Sequence, residues 1–270
     1  MTAATIAINQ SMKPISARRP VVLIVADSAF SWIVINYFRQ RFDRLTVLQE
    51  RPEDKWTILR RRRRLLGPLA AISQAMAGVL LKFIARASRS RNDEICRRHE
   101  LDRSHAQGVA IRSIGSVNST ACRDVLRELN PAVVAVYGVR IIKSQTLNCV
   151  AAPFINYHAG ITPKYRGQHP GYWALVEDDR EHAGVTIHLI DEGVDTGGIL
   201  DQARVDFSPR DNITTYQYAQ MAVALPLFAQ SIAGGLAGTL TPRQIDLPSK
   251  LWFPPTLWRY LCNGLSKGIW

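Results

Sequence analysis

The chain has 270 residues, of which 47% are apolar and 21% are charged, as expected for one globular domain with a substantial core. Its four cysteines are scattered without a C-x-x-C pair, which argues against a zinc site or a disulfide framework and favours a cytoplasmic location. The net charge of +12 is concentrated in residues 51–103, where twelve Arg and two Lys stand against six acidic residues. Because the rest of the chain is only mildly basic, nucleic-acid binding is not the expected function of the whole protein.

The N-terminal part predicts a parallel sheet. Residues 1–19 lack the charged start and apolar block of a secretory signal, and we expect a flexible tail there. The apolar run 20–27 predicts a buried strand, Ser28 a helix cap, 29–41 a helix and 45–50 a second strand. This order is typical of an α/β fold with a Rossmann-like, mostly parallel twisted sheet and flanking helices.

Residues 53–100 interrupt this alternation with a basic helical insertion. Arg60 to Arg64 form an unbroken basic run, and residues 65–81 are seventeen uncharged residues with a break expected near Gly67-Pro68. This stretch is shorter than the roughly twenty residues that span a bilayer. Basic flanks around an apolar middle favour a helix lying on an anionic membrane surface, peripheral on the inner membrane. A helical hairpin packed on the sheet, or nucleic-acid contact by the arginines, are the alternatives.

The second half continues the sheet. The predicted strands are 109–114, 132–138, 154–159, 184–191 and 199–207, and the predicted helices are 118–129, 170–177 and 213–235. Alternating apolar and polar residues in 184–191 indicate a half-buried strand that pairs with 199–207. Residues 20–245 are therefore predicted to form one domain, and 246–270 an aromatic, irregular C-terminal tail with a short helix.

Two polar clusters lie at strand ends. Asn156 and His158 are two residues apart on one strand, so their side chains point to the same side and can together stabilise an oxyanion and move protons. Residues 191–198 read DEGVDTGG and bring three carboxylates into one loop. A carboxylate beside a histidine holds its orientation. Taken separately, the two clusters also fit a hydrogen-bonded histidine at a strand end and an acidic surface turn.

Together, INYHAGITPKYRG (155–167) and GVTIHLIDEGVDTGGIL (184–200) resemble the N10-formyltetrahydrofolate-dependent formyltransferases. That family includes methionyl-tRNA formyltransferase, glycinamide ribonucleotide formyltransferase and the nucleotide-sugar N-formyltransferases. The resemblance places Asn156, His158 and Asp195 on the family's catalytic positions. It implies that His158 and Asn156 donate to a tetrahedral oxyanion, and that Asp195 sets the protonation of His158.

The resemblance also implies where N10-formyltetrahydrofolate would bind as formyl donor, without a metal. The segment after the strand 132–138 resembles the family's pterin-binding segment, and the loop 190–195 would form the opposite wall. The implied donor-binding residues are Tyr137, Gly138, Val139, Arg140, Ile141, Ile190, Asp191 and Val194. For Arg140, a solvated arginine at a strand end is an equally good interpretation.

Departures from the family pattern reduce the number of acceptor classes that the sequence fits. The common SLLP after the histidine reads GITP here, and Ala26 to Phe30 lack the glycines of a phosphate-binding loop, as glycinamide ribonucleotide enzymes have. Only 63 residues follow Phe207, which leaves little room for the C-terminal β-barrel of the tRNA enzyme. We therefore expect a small-molecule primary amine, such as a nucleotide-linked amino sugar, as acceptor.

The acceptor would lie near the loop that follows His158. The candidate acceptor-binding residues are Lys164, Arg166, Gln168, His169 and Tyr172, and a helix start with core aromatic residues is the alternative for 168–173. Two other functions remain open: a truncated methionyl-tRNA formyltransferase-like enzyme, and a catalytically idle folate-binding or scaffold module. The intact catalytic residues argue against the scaffold.

Overall fold

The protein is described by a computed structural model that covers residues 15, 17–106 and 108–270. The flexible tail predicted for residues 1–19 lies mostly outside the described residues and stays a prediction.

The described chain alternates strands and helices. The strands are β1 (Val21–Ala26), β2 (Leu45–Glu50), β3 (Ile111–Ile114), β4 (Val133–Tyr137), β5 (Phe154–His158), β6 (Tyr165–Gly167), β7 (Gly184–Leu189), β8 (Ile199–Arg204) and β9 (Lys250–Trp252). The helices are α1 (Ala29–Arg39), α2 (Lys55–Leu66), α3 (Pro68–Ala87), α4 (Arg89–Arg98), α5 (Thr120–Leu129), α6 (Ser144–Leu147), α7 (Pro170–Val176), α8 (Tyr216–Ala237) and α9 (Leu257–Lys267).

Within the described residues, seven strands form one sheet in the order β3-β2-β1-β4-β5-β7-β8. The first five are parallel, and β7 pairs antiparallel with both β5 and β8. The predicted mostly parallel α/β fold is confirmed. The order reverses at β1, so the chain winds outward from there in two directions.

Local sequence explains where several helices begin and end. Ser28 caps α1, as predicted, because its Oγ accepts from the Ser31 N–H at 3.3 Å. Gly67 adopts a positive φ of 83° and Pro68 opens the next helix, so the predicted break separates α2 from α3.

Apolar residues fill both faces of the sheet. Leu23 and Phe228 belong to the cluster under α1 and α8, whereas Val22 and Leu126 belong to the cluster under α5. A third cluster is aromatic and joins α7 to the C-terminal segment. There the short helix predicted for the C-terminal tail is present as α9, whereas the expectation of an otherwise irregular tail is wrong in part, because β9 pairs with β6.

The half-buried strand predicted for 184–191 is also wrong. The structure buries Gly184 to His188 on both faces, since β7 lies between β5 and β8. Its polar residues point to partners rather than to water: Thr186 Oγ1 donates to the Gly160 carbonyl at 2.7 Å and accepts from the Thr162 N–H at 3.1 Å. Alternation here reflects satisfied polar groups in the interior.

The insertion is helical, as predicted, and consists of α2, α3 and α4. It is tied to the main domain at α4, where Arg91 forms two hydrogen bonds with the buried Asp211 carboxylate, at 2.7 and 3.1 Å. By length and composition, α3 and α8 would each be able to cross a membrane, a test that core helices of soluble proteins also pass. Helix α8 packs on β5, β7 and β8 in the core.

Candidate active site

The predicted catalytic residues meet where the parallel part of the sheet joins the antiparallel part. Asn156 and His158 lie at the carboxyl end of β5, opposite His188 and Thr186 of β7 in the strand register. Asp195 lies in the loop between β7 and β8. The structure therefore brings together all three residues that the sequence separates by thirty-nine positions, from 156 to 195.

The His158 imidazole is held between a carbonyl and a carboxylate. Its side chain is 6% exposed. Nε2 donates to the Tyr165 carbonyl at 2.8 Å, and Nδ1 lies 3.4 Å from Asp195 Oδ2. Because a carbonyl only accepts, Nε2 carries a proton, and any proton on Nδ1 is shared with Asp195.

Backbone geometry aims the Asp195 carboxylate. Asp195 has a left-handed φ of 53°, a conformation that costs energy outside glycine and is concentrated at functional sites. Its Oδ2 accepts from the Gly167 N–H at 3.0 Å, and Arg166 donates to the neighbouring Val194 carbonyl at 2.9 Å. Strand β6 thus holds the acidic loop against His158.

His188, for which the sequence predicted no role in the site, orients Asn156. The Asn156 Nδ2 group donates to His188 Nε2 at 3.1 Å, while His188 Nδ1 donates to the Leu189 carbonyl at 2.7 Å. His188 Nε2 is also 3.8 Å from Asp195 Oδ1. Burial lowers the pKa of His188, against the opposing effect of Asp195, so the ring acts as a neutral acceptor. The available signal was the lone histidine in GVTIHLID.

The two predicted walls of the donor site border one cleft. A cavity of about 330 Å³ is lined by Ile141, Ile142 and the residues up to Gln145 on one side and by Glu192 on the other. A neighbouring cavity of about 320 Å³ includes Ile190, Asp191 and Phe154. Both linings mix apolar with polar or charged side chains, such as Ile142 beside Lys143 in the first cavity, and this mixture suits a heterocycle with polar edges.

Two of the donor-site residues have other roles for their side chains. The Tyr137 ring is buried, stacks on Tyr157 and accepts from Gln217 Nε2 at 2.7 Å through its hydroxyl, so only its backbone can reach a ligand. Arg140 Nη1 donates to Glu50 at 3.0 Å, and the Arg140 N–H donates to the same carboxylate at 2.9 Å. The partly exposed Arg140 side chain is therefore held in an ion pair, and it fixes the segment.

The remaining donor-site residues shape the loops. Gly138 requires its positive φ of 70°, Val139 packs on the core, and Ile141 is exposed at the cleft. Asp191 Oδ1 accepts from the Gly193 N–H at 3.1 Å and from the Thr196 hydroxyl at 2.7 Å, which folds the loop on itself.

The predicted acceptor residues do not all face the site. Tyr172 is 1% exposed and its hydroxyl accepts from Asn263 at 2.9 Å, so this prediction is wrong and the tyrosine belongs to the aromatic core. Lys164 pairs with Asp179 at 2.6 Å. Gln168 and His169 are exposed beside β6. Although His169 is open to solvent, surrounding protein and then the charge of Arg62 lower its pKa.

The arrangement provides proton donors and a base without an evident metal ligand set. Among residues 15, 17–106 and 108–270, no group of three or more His, Cys, Asp or Glu side chains is placed to hold a metal ion. The Asn156 amide and the His158 ring carry N–H donors, and Asp195 is the adjacent acceptor.

Comparisons with known proteins identify the family of this chain. The family described as "Formyl transferase" matches residues 90–225, half of the chain, and the protein belongs to that family. The resemblance found in the sequence is thereby confirmed. Methionyl-tRNA formyltransferase of Thermodesulfovibrio yellowstonii is 38% identical over 120 residues, which cover 44% of this chain and 38% of that protein.

Solved structures share the fold. A likely sugar N-formyltransferase from Mycobacterium tuberculosis has a TM-score of 0.54 at 16% identity, covering 86% of this chain and 74% of that one. An N-formyltransferase from Helicobacter canadensis, in complex with folinic acid and dTDP-3-aminofucose, has a TM-score of 0.53 at 15% identity, covering 86% and 70%. The chain spans under half the length of the first curated relatives, from 38% to 46%.

Proposed function

We propose that the protein transfers a formyl group from N10-formyltetrahydrofolate to a primary amine. The observation that carries the proposal is the position of His158 Nδ1, 3.4 Å from Asp195, with Asn156 beside it on the same strand. A family member that served only as a scaffold would have no need of this arrangement.

Each residue has a distinct task in the proposal. The acceptor amine attacks the formyl carbon of the donor, and negative charge develops on the formyl oxygen. The bond between that carbon and N10 then breaks, so that the formyl group stays on the amine and tetrahydrofolate leaves with a proton on N10. Asn156 offers the amide N–H that His188 does not use, and it stabilises that charge. In the proposal His158 is the second donor, and its Nε2–H turns from the Tyr165 carbonyl to the formyl oxygen. Asp195 accepts a proton from the amine, directly or through His158.

For the acceptor we propose an amino sugar linked to a nucleotide, or a related small amine, handled in the cytoplasm. Support comes from the Helicobacter canadensis enzyme, which is described in complex with such a sugar nucleotide and shares the fold. Exposed Gln168 and His169 are the acceptor-side groups beside β6.

A second candidate acceptor is an aminoacylated tRNA. The curated relative reported above is named methionyl-tRNA formyltransferase. The basic insertion of this chain could contact the phosphates of a tRNA. A direct comparison decides: the protein is incubated with N10-formyltetrahydrofolate and either nucleotide amino sugars or methionyl-tRNA, and mass spectrometry detects the added formyl group.

The catalytic assignment is tested with Asn156→Ala, His158→Ala and Asp195→Ala. We expect each to lower kcat by about 10²–10³ while folinic acid binding, measured by calorimetry, survives. Asp206→Ala is the control. Asp206 is an exposed carboxylate that pairs with Arg204, so this variant should keep full activity. Near-wild-type turnover in all three variants would refute the mechanism, and failure to bind any reduced folate would refute the donor.

A further inference from the structure

Helix α3 presents one row of large apolar side chains to solvent. The exposed fraction is 83% for Leu69 and 67% for Phe83. Five such residues follow one another at intervals of three and four positions and so form one stripe along the helix: Leu69, Ile72, Met76, Val79 and Phe83. A helix that packs on a soluble core has the opposite arrangement.

The other face of α3 packs against the rest of the protein. Its fully buried residues are small or polar: Ala71, Gln74 and Ala77. Three partly buried residues, Leu80, Leu81 and Ile84, pack on the aromatic cluster. Gln74 donates to the Pro254 carbonyl at 2.7 Å, and the Ser73 hydroxyl accepts from the Leu257 N–H at 3.0 Å. The helix therefore cannot rotate to bury its stripe without breaking these bonds.

Exposed basic side chains lie on the same helix as the stripe and on the helix before it. Exposed cations lie on α2 and at the C-terminal end of α3: Arg60, Arg63, Arg64, Lys82 and Arg86. Arg61 pairs with Glu53 at 2.8 Å, but none of these five forms an ion pair within the part of the chain that the structure describes. Together with the stripe, these five cations form what we call the α2–α3 face.

We propose that the α2–α3 face docks on an anionic lipid bilayer, with the stripe among the acyl chains and the cations on the head-group phosphates. This combination of an apolar stripe and flanking basic residues is what interfacial helices use. A two-fold dimer through the same stripe would bring two sets of cations into one interface, where they repel. A spanning α3 would carry Lys82, Arg86 and its polar bonds to residues 254 and 257 into the bilayer.

The test is co-sedimentation of the full chain with vesicles, without donor or acceptor, so that it is independent of formyl transfer. We expect binding to vesicles of mixed phosphatidylglycerol and phosphatidylcholine, and little binding to phosphatidylcholine alone. Since each basic residue near an anionic surface strengthens binding about fivefold, Arg60→Gln, Arg63→Gln and Arg64→Gln together should weaken it about a hundredfold. The triple variant Leu69→Gln, Ile72→Gln and Met76→Gln should remove the part that resists high salt.

A matched control makes the same change of charge elsewhere. Arg112, Arg127 and Arg204 are exposed and ion-paired on β3, α5 and β8, and replacing them with Gln should leave vesicle binding as in the wild type. Thermal unfolding should be unchanged in the stripe variant, because its side chains are exposed.

Three results would overturn the proposal: no wild-type sedimentation with vesicles, equal vesicle binding of control and arginine variants, or a stripe-dependent dimer in ultracentrifugation without vesicle binding. Wild-type protein that resists alkaline carbonate extraction would also overturn it, in favour of a spanning helix.

Discussion

At the scale of single residues, neighbouring residues fix the orientation of the Asn156 and His158 side chains. His188 fixes the Asn156 amide, and the Tyr165 carbonyl and Asp195 fix the His158 ring. Both buried rings have defined hydrogen-bond partners, so the proposed formyl transfer would need little reorganisation of these groups. The neutral form of His188 is part of this arrangement, because its Nε2 accepts from Asn156.

This neutral histidine makes stability sensitive to acid. The pKa of His188 is lowered from 6.5 in the folded state, so the unfolded chain binds a proton first as the pH falls. The free energy of unfolding should therefore be fully retained above about pH 6.5 and decrease below it, by at most ~1.4 kcal/mol per pH unit from this residue.

The variant His188→Gln removes this titration while keeping an acceptor for Asn156. Urea unfolding at a series of pH values should show a shallower loss of stability below pH 6.5 than in the wild type. The same slope in both proteins would contradict the assigned role.

At the scale of elements, the carboxyl end of β2 organises the donor cleft. Glu50 is buried and accepts from the Val117 N–H at 2.7 Å as well as from the backbone and side chain of Arg140. One carboxylate therefore joins the loop after β3 to the loop after β4. The latter leads to Ile141 at the cleft, so under the proposed function we expect Glu50 to affect donor binding without contacting the donor.

Replacing Glu50 with Ala should lower the free energy of unfolding by about 3 kcal/mol, since it leaves the Arg140 charge without its buried partner. Folinic acid binding, measured by calorimetry, should weaken as well. Glu128→Ala is the matched control: its pair with Arg112 at 3.4 Å is exposed, and its loss should cost less than about 1 kcal/mol. Equal effects of the two substitutions would show that Glu50 has no special role.

At the scale of the whole molecule, the C-terminal segment supports the catalytic loop. Trp252 of β9 stacks on Trp173 at 4.7 Å and on Tyr165 at 6.0 Å, and its carbonyl accepts from the Gln168 N–H at 2.9 Å. Since β9 pairs with β6, and β6 holds Asp195 through Gly167, the segment acts on the active site through one small sheet.

Trp252→Ala should therefore lower stability by about 3–5 kcal/mol and also reduce kcat. Trp258→Ala, an exposed tryptophan on α9, serves as the control and should change stability by less than about 0.5 kcal/mol. Unfolding and turnover are measured on the same preparations. If Trp252→Ala lost stability but kept the wild-type kcat at a temperature where it is folded, β9 would be a structural support only.

The sequence by itself determined the family, the parallel α/β fold and the three residues that meet in the site. These follow from local signals: apolar runs make buried strands, and a strand places Asn156 and His158 on one side. Tertiary structure alone decided which neighbours each side chain has. It buried Tyr172, paired Arg140 with Glu50, and placed His188 opposite Asn156, because strand register and loop packing join residues far apart in the chain. It also turned the apolar side of α3 outward, which no periodicity reveals, since a stripe looks the same whichever way it faces.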